Sequence, residues 1–431
     1  AGNDGGVYVS EDAGATWRHR ANLPITQFYA ATIDPTNPDQ IYGGTQDNGV
    51  MRTPQGQVND WEGIRYGDGF RTLIDPTDPG TIYTSTQYGN FVKSTNGGQS
   101  FSWARSGIDS RDRTNWFTPF AMDPSDPDVL YYGTYRVYRT TNAAQRWNAI
   151  SPDLTRGDRS GNIAYGTLTD IHVSPLNSQL IYAGTDDGKV WRTAPSPLNS
   201  ASENWVDLSG GLPNRWVTTV LASPVYEQEV FVTLSGFRFG EQIGHIYHST
   251  DRGATWKAID QGLPDVPVND LVVTENDQRY AATDAGVYAY DQQAQRWVLF
   301  NDGMPAVVVT DLDYHAPSQT LLAATYGRSI YQTDLRQVTS TAPVAHQQTD
   351  LSIFPNPASG VITLQWTTAS AFPGELRCVD LQGRILRKRT YRPIPGRQSL
   401  SWDLSDLAAG TYLVQWVQAG QSMGIERLII R

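Results

Sequence analysis

Residues 121–134 read AMDPSDPDVLYYGT: an apolar segment, a turn of Asp, Pro and Ser residues, and a second apolar segment. This order is typical of an antiparallel β-hairpin, because Pro and Asp favour the turn while β-branched and aromatic residues favour the strands. The same pattern recurs at 32–45, 73–86, 172–185, 221–234, 272–283 and 313–325. The copies follow one another at intervals of about 40 to 50 residues, which is the period of four-stranded propeller blades.

A second series of segments consists of a short strand, a turn and a strand that carries an aromatic residue. We expect these aromatic side chains to pack inward between neighbouring blades. They are Trp17, Trp61, Phe101, Trp147, Trp205, Trp256 and Trp297.

The two series are out of phase. The chain begins inside the second series, and the last hairpin, 313–325, has no closing aromatic strand. We therefore predict that the N-terminal outer strand completes the last blade and removes its open edge. The third-strand pattern occurs at both 6–10 and 328–332. Either the first copy is displaced on the rim, or it belongs to a further blade upstream of residue 1, and we favour the second interpretation.

The remaining residues form a different module. Residues 336–350 are polar and contain Pro and Thr, which is typical of a linker. Residues 351–431 predict an all-β sandwich of the Ig-like kind. This module has nine Lys or Arg and five Asp or Glu, a charge of +4, which leaves −15 for residues 1–350 of a chain whose net charge is −11. The predicted fold is all-β, with a seven-bladed β-propeller at 1–335 followed by the sandwich.

Composition excludes several classes of function. No run of about 18 apolar residues is present, so we expect no membrane span. The negative charge and the lack of a Lys/Arg-rich face argue against nucleic acid as a partner. The single Cys378 excludes an intramolecular disulfide, and no zinc-type cysteine or histidine spacing occurs. We predict no cofactor, with structural calcium possible at 151–162, whose spacing matches no EF-hand loop.

One eight-residue phrase occurs as SEDAGATW (10–17), STNGGQSF (94–101) and STDRGATW (249–256). Its Asp or Asn accepts backbone N–H groups across the turn, and its Gly takes a positive φ without steric cost. Weaker copies replace the Asp, which indicates a turn brace and not a catalytic acid. The residues assigned to this structural role are Ser10, Asp12, Gly14, Trp17, Ser94, Asn96, Gly98, Phe101, Ser249, Asp251, Gly253 and Trp256.

This spacing, S-x-D-x-G-x-[ST]-[WF], resembles the Asp-box (BNR) repeat. Proteins with that repeat include sialidases, xyloglucanase-type glycoside hydrolases, sortilin-type propellers and plant photosystem assembly factors, so the resemblance implies a propeller without selecting a function. The sialidase Phe/Tyr-Arg-Ile-Pro motif is broken at MRTP (51–54). Xyloglucanases use two tandem propellers, whereas one is predicted here.

The C-terminal segments 351–366, 380–386, 407–416 and 426–431 resemble the type A C-terminal sorting domain of the type IX secretion system in Bacteroidetes-type bacteria. The alternative is an ordinary Ig-like spacer. The resemblance implies export to the outer-membrane surface or the exterior of a Gram-negative bacterium, a secretion-machinery partner for 351–431, and cleavage with surface attachment or release. The matching residues are Phe354, Pro355, Asn356, Pro357, Gly383, Gly410 and Tyr412.

In a propeller, the loops between strands two and three share one face with the loops between blades, and ligands bind there. Carboxylates and aromatic rings on these loops suit a glycan or an extracellular protein. The candidate residues for this top face are Trp116, Arg136, Asp186, Asp187, Trp216, Phe237 and Arg238.

A glycosidase needs two carboxyl groups about 5 to 9.5 Å apart, one with a raised pKa. Asp47 and Asp68, in loops of adjacent blades, are the weak candidates for this pair, and a structural role in their turns is the alternative. We therefore expect a secreted propeller that binds glycan or protein, or forms part of an extracellular assembly, without catalysis. The alternative is a xyloglucanase-like or sialidase-like glycoside hydrolase, or a remnant of one.

Overall fold

The fold was examined in a computed structural model. It describes residues 1–3, 6–20, 23, 25–57, 60–158, 165–193, 205–236, 244–336, 351–368, 373–381, 383–392, 394–418 and 421–431. Within these ranges the chain is almost entirely β-strand, with one short 3-10 turn at Gln87–Gly89. Seven successive sheets form the blades of a propeller and two more form a sandwich, which confirms the predicted fold class.

The N-terminal strands form a small sheet of their own, in the order β1-β2-β3. They are β1 (Gly2–Asn3), β2 (Gly6–Val9) and β3 (Arg18–His19).

Blades 1 to 3 are four-stranded and run from the inner to the outer strand in chain order. Their strands are β4 (Phe28–Asp34), β5 (Asn37–Thr45), β6 (Gly49–Thr53) and β7 (Glu62–Arg65), then β8 (Gly69–Ile74), β9 (Ile82–Thr86), β10 (Asn90–Ser94) and β11 (Ser102–Trp103), then β12 (Phe120–Asp123), β13 (Asp126–Gly133), β14 (Val137–Thr140) and β15 (Asn148–Ala149).

Blades 4 to 6 repeat this arrangement, and blade 7 has three strands among the described residues. Their strands are β16 (Leu168–Val173), β17 (Ile181–Thr185), β18 (Val190–Thr193) and β19 (Trp205–Asp207), then β20 (Val217–Ala222), β21 (Val230–Leu234), β22 (Ile246–Ser249) and β23 (Lys257–Ala258), then β24 (Val268–Val273), β25 (Arg279–Thr283), β26 (Gly286–Asp291) and β27 (Arg296–Leu299), and finally β28 (Val309–His315), β29 (Thr320–Thr325) and β30 (Ile330–Asp334).

The second strand of a blade is buried on both faces, because it lies between two neighbouring blades. Every residue of β9, β17, β21 and β25 is buried. A Thr beside the following turn closes that turn in five blades, where its hydroxyl donates to a backbone carbonyl two to four residues onward at 2.6 to 3.3 Å. These residues are Thr45, Thr134, Thr185, Thr283 and Thr325, and they fix the turns of the top face.

The predicted mode of ring closure is wrong. Among the described residues, the strands β1 to β3 pair with one another and supply no fourth strand to blade 7. Instead, the inner strand of blade 7 contacts the inner strand of blade 1 directly. Asp311 and Asp313 accept the backbone N–H groups of Ala31 and Ile33 at 2.9 and 2.6 Å. Side-chain hydrogen bonds between inner strands, together with an isolated backbone bridge between Gln27 and Tyr326, thus take the place of a shared outer strand at the closure.

Four of the repeated tryptophans connect consecutive blades as expected. The indole N–H of each donates to a backbone carbonyl in the preceding blade, at 2.6 to 2.9 Å. That carbonyl belongs to the residue directly after the outer strand. The pairs are Trp147 with Ala104, Trp205 with Ile150, Trp256 with Leu208, and Trp297 with Ile259.

Trp17 does not follow this pattern, and its side chain is 53% exposed. The inward packing predicted for it is wrong, because the described chain supplies no preceding blade for the sheet of β1 to β3. Phe101 has no indole N–H and packs at the edge of a small cluster with Tyr42, Ile74 and Ile82.

The Asp-box turns share one hydrogen-bond pattern. In the third copy, Asp251 accepts the Thr255 N–H at 2.8 Å and the Thr255 hydroxyl at 2.6 Å, while the Ser249 hydroxyl accepts the Gly253 N–H at 2.7 Å. The first copy repeats this with Asp12 as the acceptor. In the second copy Asn96 accepts the N–H of Ser100 at 3.0 Å. Each turn is satisfied by its own side chains.

The C-terminal sandwich has one three-stranded sheet, β31-β32-β35, and one four-stranded sheet, β34-β33-β36-β37. The strands are β31 (Ser352–Phe354), β32 (Val361–Thr368), β33 (Gly374–Val379), β34 (Ile385–Tyr391), β35 (Gly396–Asp403), β36 (Gly410–Gln418) and β37 (Gln421–Ile430). Trp366, Trp402 and Trp416 are buried in the core between the sheets.

The sandwich packs against the propeller beside the top face. Val379, Leu413 and Ile425 share one apolar cluster with Val266 and Ala306, which lie close to the starts of β24 and β28. The contact also includes an ion pair between Arg427 and Asp265. The basic sandwich therefore meets the acidic propeller through apolar packing and a charge pair.

We expect Trp297→Phe to destabilise the propeller by about 1–3 kcal/mol, because the carbonyl of Ile259 loses its buried donor. Urea unfolding followed by circular dichroism measures this change. Trp17→Phe is the matched control at the equivalent repeat position and should leave the midpoint unchanged, since Trp17 is 53% exposed. A Trp297 variant as stable as the parent protein would contradict the inter-blade role.

Candidate functional site

A cavity of about 410 Å³ lies where the inner strands begin, on the top face of the propeller. Aromatic side chains form part of its wall: Tyr29, Phe117, Trp216 and Tyr326. Charged side chains form another part: Arg71, Asp170, Asp270 and Asp311.

The charged side chains share one position in the repeat. Arg71, Asp170, Asp270 and Asp311 are each the third residue of an inner strand, in β8, β16, β24 and β28. In all four strands the pairing register shifts at this point, as it does in a β-bulge. Because a bulge re-aims the neighbouring side chains, the repeated irregularity directs these groups into the channel.

Each of the three carboxylates bridges to another inner strand. Asp170 accepts the Val220 N–H at 2.8 Å, and Asp270 accepts the Leu312 N–H at 2.9 Å. Asp311 makes the equivalent bond to blade 1, described above, and also pairs with Arg71 at 3.1 Å across the channel. The same groups therefore hold the ring together and line the cavity.

The carboxyl groups sit in an environment that disfavours their charge. Burial raises the pKa of Asp170 to about 6, although Arg71 works in the opposite direction. Burial also raises the pKa values of Asp270 and Asp311, again against the attraction of Arg71. Burial opposes the charge of Arg71 too, but the three carboxylates outweigh it and raise its pKa, so it stays protonated.

A row of aromatic rings runs from the cavity across blades 1 to 3. The ring centroids lie 6.2 Å apart for Tyr326 and Tyr29, and 5.1 Å apart for Tyr29 and Phe70. The row continues from Phe70 to Trp116 at 6.3 Å and from Trp116 to Tyr88 at 5.1 Å. Trp116 and Tyr88 are 38% and 57% exposed, so the outer part of the row is open to solvent.

Tyr88 is held in an unusual backbone conformation, with φ at 55°. A bulky residue at positive φ is strained, and such strain persists only where the surroundings fix it. Here the Tyr88 N–H donates to the Trp116 carbonyl, and the Thr114 hydroxyl donates to the Tyr88 carbonyl, both at 3.1 Å. These bonds present the Tyr88 ring beside Trp116. Tyr66, in the loop that precedes β8, adds a fully exposed ring to this face.

The predicted candidates Trp116 and Trp216 both lie at this site. Trp216 lines the cavity and Trp116 lies in the aromatic row. The structure also brings Asp47 and Asp68 together, since the Asp47 N–H donates to the Asp68 carboxylate at 2.6 Å. The second oxygen of Asp68 accepts from the Gln87 amide at 2.7 Å. This pair clamps two loops, and neither residue lines the cavity.

Three other predicted residues hold loops. Asp186 is buried and accepts the backbone N–H groups of 165–167 at 2.7 to 3.1 Å, and burial raises its pKa. Asp187 accepts the Arg156 N–H at 2.6 Å. Arg136 forms a two-bond ion pair with Asp112 at 2.8 Å. Phe237 and Arg238 lie outside the described residues.

Sequence reasoning missed the four charged residues of the cavity. A signal was present, because 168–171, 268–271 and 309–312 share the pattern of an apolar residue, Thr or Asn, Asp and an apolar residue. The pattern lies in segments that predict buried strands. In such strands an Asp normally has a structural role and does not indicate a binding site. The sequence around Arg71 does not share this pattern, so no repeat indicated its position in the channel.

In the described part of the chain, no group of three or more His, Cys, Asp or Glu residues is placed to hold a metal ion. The calcium expectation at 151–162 extends into residues 159–162, outside the described ranges, and stays a prediction. No described helix has the length and apolar character needed to cross a membrane.

The residues of the predicted sorting signal lie in the sandwich. The Asn356 side chain binds the last strand, donating to the Arg427 carbonyl at 2.6 Å and accepting the Ile429 N–H at 2.9 Å. It lies between Pro355 and Pro357, next to the half-exposed Phe354. The Tyr412 hydroxyl donates to the Ala408 carbonyl at 2.7 Å.

The two signal glycines have different surroundings. A Cβ atom at Gly383 would lie 2.6 Å from the Ala306 carbonyl of the propeller, so this turn belongs to the contact between the two modules. Gly410 begins β36 and has ordinary van der Waals space around it.

Comparison with known families identifies the C-terminal module. Residues 352–431 match the family described as the secretion system C-terminal sorting domain. The module is therefore a type IX secretion sorting domain, and the chain is a propeller protein exported to the cell surface or the extracellular space. Comparison of the sequence with curated proteins gives no match.

Solved structures with the same fold are similar in shape and distant in sequence. YCF48 bound to a D1 peptide has a TM-score of 0.51 and 15% identity, over 72% of this chain and 94% of that one. PorZ, a surface component of the type IX secretion system of Porphyromonas gingivalis, has a TM-score of 0.53 and 13% identity, over 94% of this chain and 59% of that one.

A third similar structure is the extracellular domain of a two-component system, BT3049, from B. thetaiotaomicron. It has a TM-score of 0.55 and 11% identity, over 96% of this chain and 56% of that one. The present chain thus spans little more than half the length of PorZ and of this sensor domain. At these identities the similarity establishes the propeller fold and its blade repeats.

The raised pKa of Asp170, about 6 against an ordinary value of 3.8, gives the stability a defined pH dependence. The folded state binds this proton more tightly, so its contribution is full below about pH 4 and is lost as the pH rises through 6. Asp170→Asn retains an acceptor for the Val220 N–H and does not ionise. Between pH 4 and 7 we expect the free energy of unfolding to fall less in this variant than in the parent protein. The difference between the two falls should reach up to about 3 kcal/mol.

Thermal unfolding at a series of pH values measures this difference. The same substitution at the exposed Asp39 serves as the control. If Asp170→Asn and the parent protein have parallel pH curves, the buried carboxyl is not the source of the dependence.

Proposed function

We propose that this exported propeller binds a glycan chain across its top face and does not hydrolyse it. The observation that carries the proposal is the aromatic row that ends in the central cavity. Sugar rings stack on exposed aromatic faces, and Trp116 and Tyr88 offer two such faces with centroids 5.1 Å apart, while Tyr66 adds a third exposed ring. Polar groups in the cavity can then fix the orientation of the chain end.

The roles of the carboxylates support binding in preference to hydrolysis. A glycosidase needs one carboxyl free to protonate the leaving group and a second to act as nucleophile or base. Asp170, Asp270 and Asp311 each accept a backbone N–H from another blade. Moving one of them during a reaction would open the contact between inner strands. The rigid arrangement suits recognition.

The strained loop around Tyr88 also supports this proposal. Holding an aromatic residue at positive φ costs about 1–3 kcal/mol, a cost that ordinary loop packing does not require. The Trp116 carbonyl and the Thr114 hydroxyl fix the loop before any ligand arrives. A preorganised aromatic pair loses little conformational entropy on binding.

Glycan binding is tested with an array of polysaccharides, followed by calorimetry on the glycan that binds. We expect Trp116→Ala and Tyr88→Ala each to weaken binding about threefold to tenfold, because each removes one stacking face. Tyr226→Ala is the matched control, since Tyr226 is 52% exposed in the turn between β20 and β21 on the opposite face. Equal affinities for all four proteins would contradict the proposal.

The same preparations test the absence of catalysis. We expect no release of reducing ends from the bound glycan over a long incubation. Turnover that is lost in Asp47→Ala or Asp68→Ala would instead identify the protein as a glycosidase and restore that pair as catalytic. A peptide arm is included because the similar YCF48 propeller is described with a bound peptide.

Export through residues 351–431 is tested by deletion. The truncated protein should accumulate in the periplasm, as measured by fractionation and surface proteolysis. Deletion also removes the packing of Leu413 and Ile425 against the propeller, so a second arm is needed. Fusion of 336–431 to a periplasmic reporter should carry the reporter to the surface. A fusion retained inside the cell would show that the module is insufficient for export.

A further inference from the structure

The cavity carries more negative than positive charge. Arg71 is the only cation in its wall among the described residues, and it pairs with Asp311 at 3.1 Å. No Lys or Arg in the described chain forms an ion pair with Asp170 or Asp270. Both carboxyls are more than nine-tenths buried, with exposures of 8% and 7%. Arg71 attracts these two carboxylates as well, but one cation faces three carboxyl groups, so the fully ionised cavity has an excess of negative charge.

The aromatic wall of the cavity favours the same kind of ligand. Tyr29, Phe117, Trp216 and Tyr326 line the same cavity as the charged groups. The face of an aromatic ring attracts a cation through its quadrupole, and this attraction grows where water is excluded. Carboxylates and aromatic rings are the two kinds of group that bind an organic ammonium ion.

The geometry argues for an organic cation and not for a metal ion. No three acidic or histidine side chains in the described ranges converge closely enough to coordinate a metal. The carboxylates come from blades 4, 6 and 7 and stand around an open space of about 410 Å³. A space of this size takes a ring-sized group that carries its charge on a substituent.

We infer that the central cavity binds the primary ammonium group of an amino sugar, with Asp170 and Asp270 as the anionic partners and the aromatic wall around it. This inference rests on the proposed glycan binding and names the chemical class of the glycan. The exposed rings of Trp116 and Tyr88 hold the neighbouring sugar rings, and the sugar that carries the ammonium group enters the cavity. Arg71 remains paired with Asp311 and keeps that carboxylate out of the contact.

The experiment compares two probes that differ in one group, the tetramer of glucosamine and the tetramer of N-acetylglucosamine. Calorimetry on the parent protein should give at least tenfold tighter binding of the glucosamine tetramer. Asp170→Asn and Asp270→Asn keep the acceptors for the Val220 and Leu312 N–H groups while removing the charge. Each should reduce this preference at least fivefold, with the larger loss of affinity on the glucosamine tetramer.

Asp39→Asn, an exposed carboxylate outside the cavity, is the control and should keep the full preference. Thermal unfolding of each variant shows that the ring is intact. Equal binding of both tetramers by the parent protein would overturn the ammonium inference while leaving the glycan proposal standing. Failure of both tetramers to bind, together with Asp170-dependent binding of a tetralysine peptide, would overturn the glycan assignment and identify the source of the ammonium as a protein.

Discussion

The hydrogen bonds that buried aspartates accept from the backbone N–H groups of another inner strand are the contacts on which the rest of the structure depends. Asp170 and Asp270 make such bonds within the ring, and Asp311 makes the one that joins blade 7 to blade 1. Inner strands of neighbouring blades cannot share a β-ladder, because each already pairs within its own sheet. The carboxylates supply the missing polar partners and hold the strands at a fixed distance around the channel.

The hairpins of this ring are local, and the sequence predicts them well. In 121–134 the turn residues and the strand residues all lie within one short segment, so this segment alone is enough to predict a hairpin. The inter-blade tryptophans are nearly as clear, since Trp147, Trp256 and Trp297 occur at one repeat position. Closure of the ring is different, because Ala31 and Asp311 are 280 residues apart. Nothing in the sequence around either residue indicates that the two are in contact. The sequence therefore predicted a shared outer strand where the protein uses side chains.

The site divides in the same way. Trp116 and Trp216 could be predicted because they follow turn-rich loops, and those loops share one face in any propeller. Arg71 and Asp170 could not be predicted as site residues. A charged residue at the third position of an otherwise apolar strand does not by itself indicate a position in the channel. The direction of such a side chain depends on a register shift in the pairing of the inner strand with the second strand, which occurs in β8 and β16. Asp186 shows the converse case, since it lies in a loop of the predicted face and its carboxylate accepts three backbone N–H groups, which the sequence does not indicate.

Stability and recognition are linked through the same carboxylates. A buried Asp that accepts one backbone N–H is useful to the fold, yet its charge is costly unless a cation or a proton neutralises it. Arg71 pairs with Asp311, yet burial still raises the pKa values of both Asp170 and Asp311, because one cation does not compensate for all three carboxylates. A ligand that brings a positive group into the cavity relieves this cost and binds only to the closed ring. Ligand binding and ring closure would then stabilise one another, since a ligand that binds only the folded state shifts the unfolding equilibrium toward it.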